Sequence, residues 1–199
     1  MDNYHRITGI EEETTDEEES EVEVFIDKLF GTRVMELTYE YMALNGLFSS
    51  LSEFRSYLYD IWFTPFSRTV GGGDDIDSSG FETTFLAEAK NSIIRNYNWL
   101  TFYLDELEEE VDYCGYRQKS EIGIQVWVLI NGLSECFKIN SFLVYGVSPE
   151  FEFAVYTACF VLHQDESCSF TLNDNAYNVE TRSVHSSSED ILRIAFFDA

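Results

Sequence analysis

The period of the apolar residues changes once along this chain, and that change constrains the fold more than any other feature. Before residue 68 the apolar positions recur at helical spacing: Val22, Phe25, Ile26, Leu29, Phe30, Val34, Leu37, Tyr41 and Leu44 form one stripe. The stripe predicts an amphipathic helix, in one piece or broken near Gly31, that ends at Asn45-Gly46. Phe54, Tyr57, Leu58, Ile61 and Trp62 predict a second helix, stopped by Pro65. From residue 81 the texture differs. Phe81 to Ala87 suits a strand, Trp99 to Glu110 a helix, and "GIQVWVLI" (123–130) alternates like a strand. "INSFLVYG" (139–146) reads as a second strand, joined to the first through a connection that begins at Asn131-Gly132. Ser148, Pro149 and Glu150 then form a helix start, with a hydroxyl cap, proline at the first position and a carboxylate in the first turn. Short strands are expected near 168–172, 176–182 and 191–197. Helices first, then strands interleaved with helices, give an α+β class.

Charge narrows the function. The formal net charge is −25, with twelve Lys and Arg scattered rather than clustered. A field of that sign repels phosphates, so a nucleic-acid site would have to be a local positive spot on a negative body. Part of the acidity lies in "EEETTDEEESEVE" (11–23), a self-repelling run expected to be a solvated lead-in to the first helix. "TVGGGDDIDSSG" (69–80) reads as a flexible loop, since no Lys-Ser/Thr comes after its glycines as a phosphate cradle requires. Cys114, Cys136, Cys159 and Cys168 form no CxxC pair, which argues against zinc. Cys159 and Cys168 flank a helix-to-strand connection and would pair in an oxidising compartment. The N-terminal "MDNYHRITGIEEE" has no apolar leader and no later stretch is long enough to span a membrane, so the expectation is an intracellular chain with reduced thiols.

Seven segments, in order, resemble the EndoU family of uridine-preferring endoribonucleases: "VMELTYEYMALNG", "LYDIWFTPFSR", "DSSGFETTFLAEAK", "NYNWLTFYLDE", "VDYCGY", "GVSPEFEFAVYTACF" and "ILRIAFF". The segment "DNYHRITGIEEE" is similar to the stretch that precedes the family's helices. The resemblance implies N-terminal helices followed by two small antiparallel sheets packed with helices. It divides the chain into an acidic, flexible lead-in (1–24), a partial helical lobe (25–68), the Gly/Asp/Ser loop (69–80) and a catalytic-type α+β region (81–199). It also implies that the family's first helices are not part of this chain.

Members of that family cut RNA at uridines by attack of the 2′-hydroxyl on the adjacent phosphate, leaving a 2′,3′-cyclic phosphate. Two histidines serve as base and acid, because imidazole titrates near neutrality, and a lysine offsets the charge on phosphorus. At the histidine positions this chain has Thr83, after "GFE", and Tyr97, in "RNYNW". Lys138, eight residues before the glycine of "GVSPEF", matches the lysine. The tyrosine that packs on the uridine sugar corresponds to Phe196, and the polar residue two before it to Ile194. A uracil-reading serine corresponds to Phe142, or to Ser141 with a one-residue shift. Lys138 and Ser141 are thus the candidate RNA contacts. Glu82 and Glu88 match acidic positions tied to the family's dependence on metal, commonly manganese; the other reading is a structural hydrogen bond or a surface charge.

Threonine holds no proton near neutral pH, and tyrosine titrates near about 10. The three histidines, His5, His163 and His185, read as surface residues. The sequence therefore points to a pseudoenzyme that needs no cofactor and binds a protein partner, either a basic protein or an active paralogue. It would bind RNA weakly or not at all, and neither DNA nor membrane. The alternative is an active endoribonuclease that uses Mn2+ with altered residues. The expected compartment is the cytoplasm by default, or the secretory route if an upstream start is missing.

Overall fold

The computed structural model describes residues 15–67, 76–86, 89–90, 93–94, 98–121, 123–131, 134–139, 142–186 and 189–198. Its first helix, α1 (Asp16–Phe30), begins inside the acidic run. Thr15 accepts the N–H of Glu18, and Glu18 accepts the N–H of Thr15, a reciprocal cap at the positive end of the helix where four carboxylates are favoured. The expected flexible lead-in over 1–24 is therefore corrected: residues 16–24 are helical, and residues 1–14 lie outside the described residues. Gly31 ends α1 and Thr32 caps α2 (Arg33–Leu44), so the long stripe is two helices broken where glycine suggested. Ser50 caps α3 (Leu51–Phe63). The three helices bury Val22, Ile26, Leu29, Met35, Met42, Phe54, Leu58 and Trp62.

The strand expected over Phe81 to Ala87 is corrected: Phe81 to Phe85 belong to a short helix, α4 (Gly80–Phe85). Local propensity favours β structure for Thr-Thr-Phe, but Ser79 and Glu82 close a reciprocal cap around the turn, and tertiary contacts hold it. Ala87 and most of the 69–80 loop lie outside the described residues. A two-residue ladder pairs β1 (Ala89–Lys90) with β2 (Ile93–Ile94), and Asn98 caps α5 (Trp99–Leu107).

The first larger sheet contains β3 (Val111–Lys119), β4 (Gly123–Ile130), β5 (Cys136–Lys138) and β6 (Leu143–Val144), with β4 pairing antiparallel to the other three. β4 matches its expected bounds. The strand expected over 139–146 is corrected: the hairpin partner of β4 is the earlier β5, and only Leu143–Val144 returns to pair with the start of β4. One face of this sheet packs with α5 into a small core of Val111, Val126, Val128, Ile139 and Leu143, with Trp99 and Phe102 against it.

Ser148 caps α6 (Pro149–Leu162), with Pro149 at its start as expected. The chain ends in a meander of β7 (Ser167–Leu172), β8 (Asn175–Ser186) and β9 (Glu189–Asp198), close to the expected strands. Asn173 and Asp174, both at positive φ (51° and 64°), make the β7–β8 turn. One face of this sheet joins α1, α2, α3 and α6 in the main core, where Trp62 stacks on Phe153 and donates its indole N–H to Thr157 Oγ1 at 3.0 Å. The result is the α+β arrangement of helices and two antiparallel sheets.

The thiols are paired, which corrects the expectation of reduced cysteines. Cys159–Cys168 ties α6 to β7 with Cα atoms 5.5 Å apart, and Cys114–Cys136 ties β3 to β5 at 6.3 Å, both inside the usual range. No described helix is long and apolar enough to cross a membrane.

Candidate functional site

Thr83 sits on α4 at 6% exposure, and its environment follows from how α4 docks. β9 is an edge strand, so its outer N–H and C=O groups need partners other than a ladder. Two threonines of α4 supply them. The Thr83 hydroxyl lies within hydrogen-bonding reach of the carbonyls of Ser79 and Gly80, each at 3.1 Å, and of Arg193 on β9. Thr84 Oγ1 accepts the N–H of Ala195 at 3.0 Å. Gly80 makes the approach possible, because a β-carbon there would stand 2.4 Å from the carbonyl oxygen of Leu192. α4 thus acts as a cover for the strand edge, and the Thr83 side chain is committed to main-chain oxygens.

Glu82 is half-buried, and its Oε2 accepts the Ser79 N–H at 2.6 Å within the reciprocal cap. That bond is the structural use weighed against metal binding. Among the described residues no group of three His, Cys, Asp or Glu side chains is placed to hold a metal ion. Glu88, Tyr97 and Ser141 lie outside the described residues. Lys138 is described through its main chain: it closes β5, directly opposite Trp127 of β4.

Phe142 is 5% exposed, belongs to the main core and lies over Gly123. A ring so buried cannot read a base. Phe196 and Ile194 alternate with the buried Ala195 and Phe197, so they stand on the face of the β9 sheet turned away from the core. Their register partners are Glu180 and Arg182, which pair with each other at 2.8 Å. His163 caps the end of α6, and His185 pairs with Asp190 at 2.9 Å on an exposed edge, holding the Asp190 carboxyl below its usual value. His5 lies outside the described residues.

One polar pair was not anticipated. Glu152, on α6, is only 2% exposed and its Oε2 accepts from the Asn98 side-chain amide, whose own Oδ1 accepts the Leu100 N–H and caps α5. Burial pushes the Glu152 carboxyl up to about 8. Beside it burial, then the Glu152 charge, raises the Tyr156 phenol well above its ordinary value. The signal was present in the spacing: residues 152, 156 and 160 share one helix face, and Tyr156 and Phe160 are core residues.

Comparison with known proteins brings these positions under one heading. Residues 1–197 match the family described as Endoribonuclease XendoU. The chain is 35% identical over 188 residues to the poly(U)-specific endoribonuclease of Xenopus tropicalis, covering 90% of this chain and 64% of that protein. It is 36% identical over 190 residues to the uridylate-specific endoribonuclease C of Danio rerio, covering 90% and 60%. The solved structure of XendoU, described as a splicing-independent snoRNA-processing endoribonuclease, superposes with a TM-score of 0.74 at 28% identity, over 96% of this chain and 72% of that one. The chain therefore spans less than two thirds of the length of these curated relatives.

Proposed function

The chain belongs to the XendoU endoribonuclease family, and on that premise we propose that it keeps the fold as a binding scaffold and does not cleave RNA. The observation that carries this reading is the Thr83 hydroxyl, which is buried with its one proton in reach of main-chain carbonyls alone, those of Ser79, Gly80 and Arg193. Tyr97 in the second histidine position supports it on sequence grounds, as do Phe142 in the core and Phe196 and Ile194 on the sheet face. Each acid or base contributes about 10²–10⁴-fold. Losing both leaves Lys138 to stabilise charge in a reaction with no group to move its protons. Such a scaffold needs no cofactor, and Glu82 serves its helix cap.

The net charge favours a basic protein, or an active paralogue, as partner, with RNA held weakly and neither DNA nor membrane engaged. The two disulfides favour an oxidising compartment and so the secretory alternative over the cytoplasm. The test is incubation of a labelled uridine-containing RNA with the full chain, in manganese and in chelator, beside the Thr83→His/Tyr97→His double variant. We expect no product from the native chain and cyclic-phosphate ends from the double variant. Manganese-dependent cleavage by the native chain that is lost on Lys138→Ala would overturn the reading. It would establish the active enzyme that the relatives' names suggest.

A further inference from the structure

We propose that the cavity lined by α1, α4, α5 and α6 is a binding site for a small uncharged molecule with an aromatic or short aliphatic body. The inference goes beyond the preceding reading and stands whether or not the chain cleaves RNA.

The cavity follows from how the two cores meet. Phe25 of α1, Phe81 and Phe85 of α4 and Phe153 of α6 belong to the main core, whereas α5 packs Trp99 and Phe102 against the small one. Polar links tie the first turn of α5 back to α4 and α6. Thr101 donates its hydroxyl to the Phe85 carbonyl at 2.6 Å, and the Trp99 indole donates to the Val147 carbonyl at 2.9 Å. The Asn98 amide donates to Glu152. These links fix the spacing of the four helices and leave a cavity of about 310 Å³ at the seam. That size lies within the about 300–1,000 Å³ of small-molecule sites, which favour such junctions.

The walls decide the chemistry. The four phenyl rings contact one another edge-on, tilted or stacked, with centroids 5.1–6.1 Å apart, so each is braced by its neighbours. Leu29, Leu86 and Leu100 add aliphatic surface. The polar side chains of the wall are already used: Asn98 Oδ1 accepts the Leu100 N–H at 2.7 Å, and the Thr101 hydroxyl is on Phe85. Behind Asn98, burial pushes the Glu152 carboxyl up to about 8, so it is uncharged at neutral pH. The charged residues of the lining are the exposed Lys28 and the half-buried Glu150, and their signs oppose. A net charge of −25 disfavours an anion, and a space walled by rings stays dry and gains by admitting an apolar body. A second apolar recess, between α2 and α6, is less suited, because Leu37 and Tyr41 leave it open to water.

The test is titration of the full chain with phenylnaphthylamine, an uncharged apolar fluorophore, at neutral pH and low salt, read by its emission and by the protein's melting temperature. We expect a saturable, blue-shifted signal and a melting temperature that rises with probe concentration. Leu100→Trp and Leu86→Trp place a larger ring in the space from half-buried positions. Each should weaken probe binding by at least about 10-fold while melting, without probe, at or above wild type. Leu37→Ser/Tyr41→Ser, in the α2–α6 recess, should leave binding unchanged. The anionic relative, anilinonaphthalenesulfonate, should bind more weakly than the uncharged probe. A signal that does not saturate, unchanged binding by a folded tryptophan variant, or loss of binding in Leu37→Ser/Tyr41→Ser overturns the site. Tryptophan variants that both melt well below wild type also overturn it, since the space would then be filled already. Sulfonate binding as tight as that of the uncharged probe overturns the ligand class. Cleavage of oligouridine by the same preparations bears on the preceding reading alone, so the two can fail separately.

Discussion

Thr83 links α4 to the edge of β9, and that link has a stability consequence. The Arg193 carbonyl on β9 has the Thr83 hydroxyl as a donor across 110 residues of sequence. Thr83→Val keeps the shape, removes the donor and leaves part of the strand edge unsatisfied at a buried position. The expected cost is about 1–3 kcal/mol, read as a lower urea midpoint with an unchanged slope. Thr83→His should also lower the midpoint, because an imidazole must enter a site that is 6% exposed. Any activity gained by Thr83→His/Tyr97→His is therefore to be read beside its melting temperature. Thr83, Lys138, Phe142 and Phe196 were singled out by the resemblance of their motifs to the EndoU family. The hydroxyl's commitment to β9 was not, because pattern reading spans a few residues and the partner lies at the other end of the chain.

Among the elements, the helices were the most legible: apolar stripes announced α1 to α3 and Ser148-Pro149 announced α6, whereas the caps at Thr32 and Ser50 emerged from the structure. β3 carries Asp112, Arg117, Gln118 and Lys119 with register shifts at two places, so no alternation announces it. α4 was misread because β-branched threonines serve a strand edge from a helix. α6 holds the element with the clearest solution behaviour. Burial places the Glu152 carboxyl near about 8 when folded, against about 4.3 in an unfolded chain. Between those values the folded state holds a proton that the unfolded state has released. Stability from this group is complete below about pH 4.3, falls as pH rises and levels off above about 8. The loss across that window is of the order of a few kcal/mol. Glu152→Gln keeps an uncharged side chain at every pH. Its urea midpoint should lie near wild type at about pH 5 and above it at about pH 9. Parallel pH profiles for the two proteins would assign the slope to other groups.

At the scale of the molecule, a chain of net charge −25 repels itself whenever it is compact, so what restrains the unfolded state matters. The main core has the mass to resist this, with Trp62, Phe54, Phe153, Phe160 and Phe197 fully buried. Among the described residues the small core between the β3–β6 sheet and α5 has five buried apolar residues and one helix over it. There a cross-link has most to add. Cys114–Cys136 closes a separation of 22 residues and Cys159–Cys168 one of 9, and loop-closure entropy assigns each about 3 kcal/mol, slightly more to the longer. The first spans the small sheet, while the second joins elements already held by the main core. Cys114→Ala/Cys136→Ala should therefore lower the urea midpoint more than Cys159→Ala/Cys168→Ala, and should red-shift the Trp127 emission before the rest of the molecule unfolds. A reductant should reproduce the first effect in wild type. If neither the paired substitutions nor the reductant moved the midpoint, the small core would be holding its sheet unaided. The disulfide argument for an oxidising compartment would fall with it.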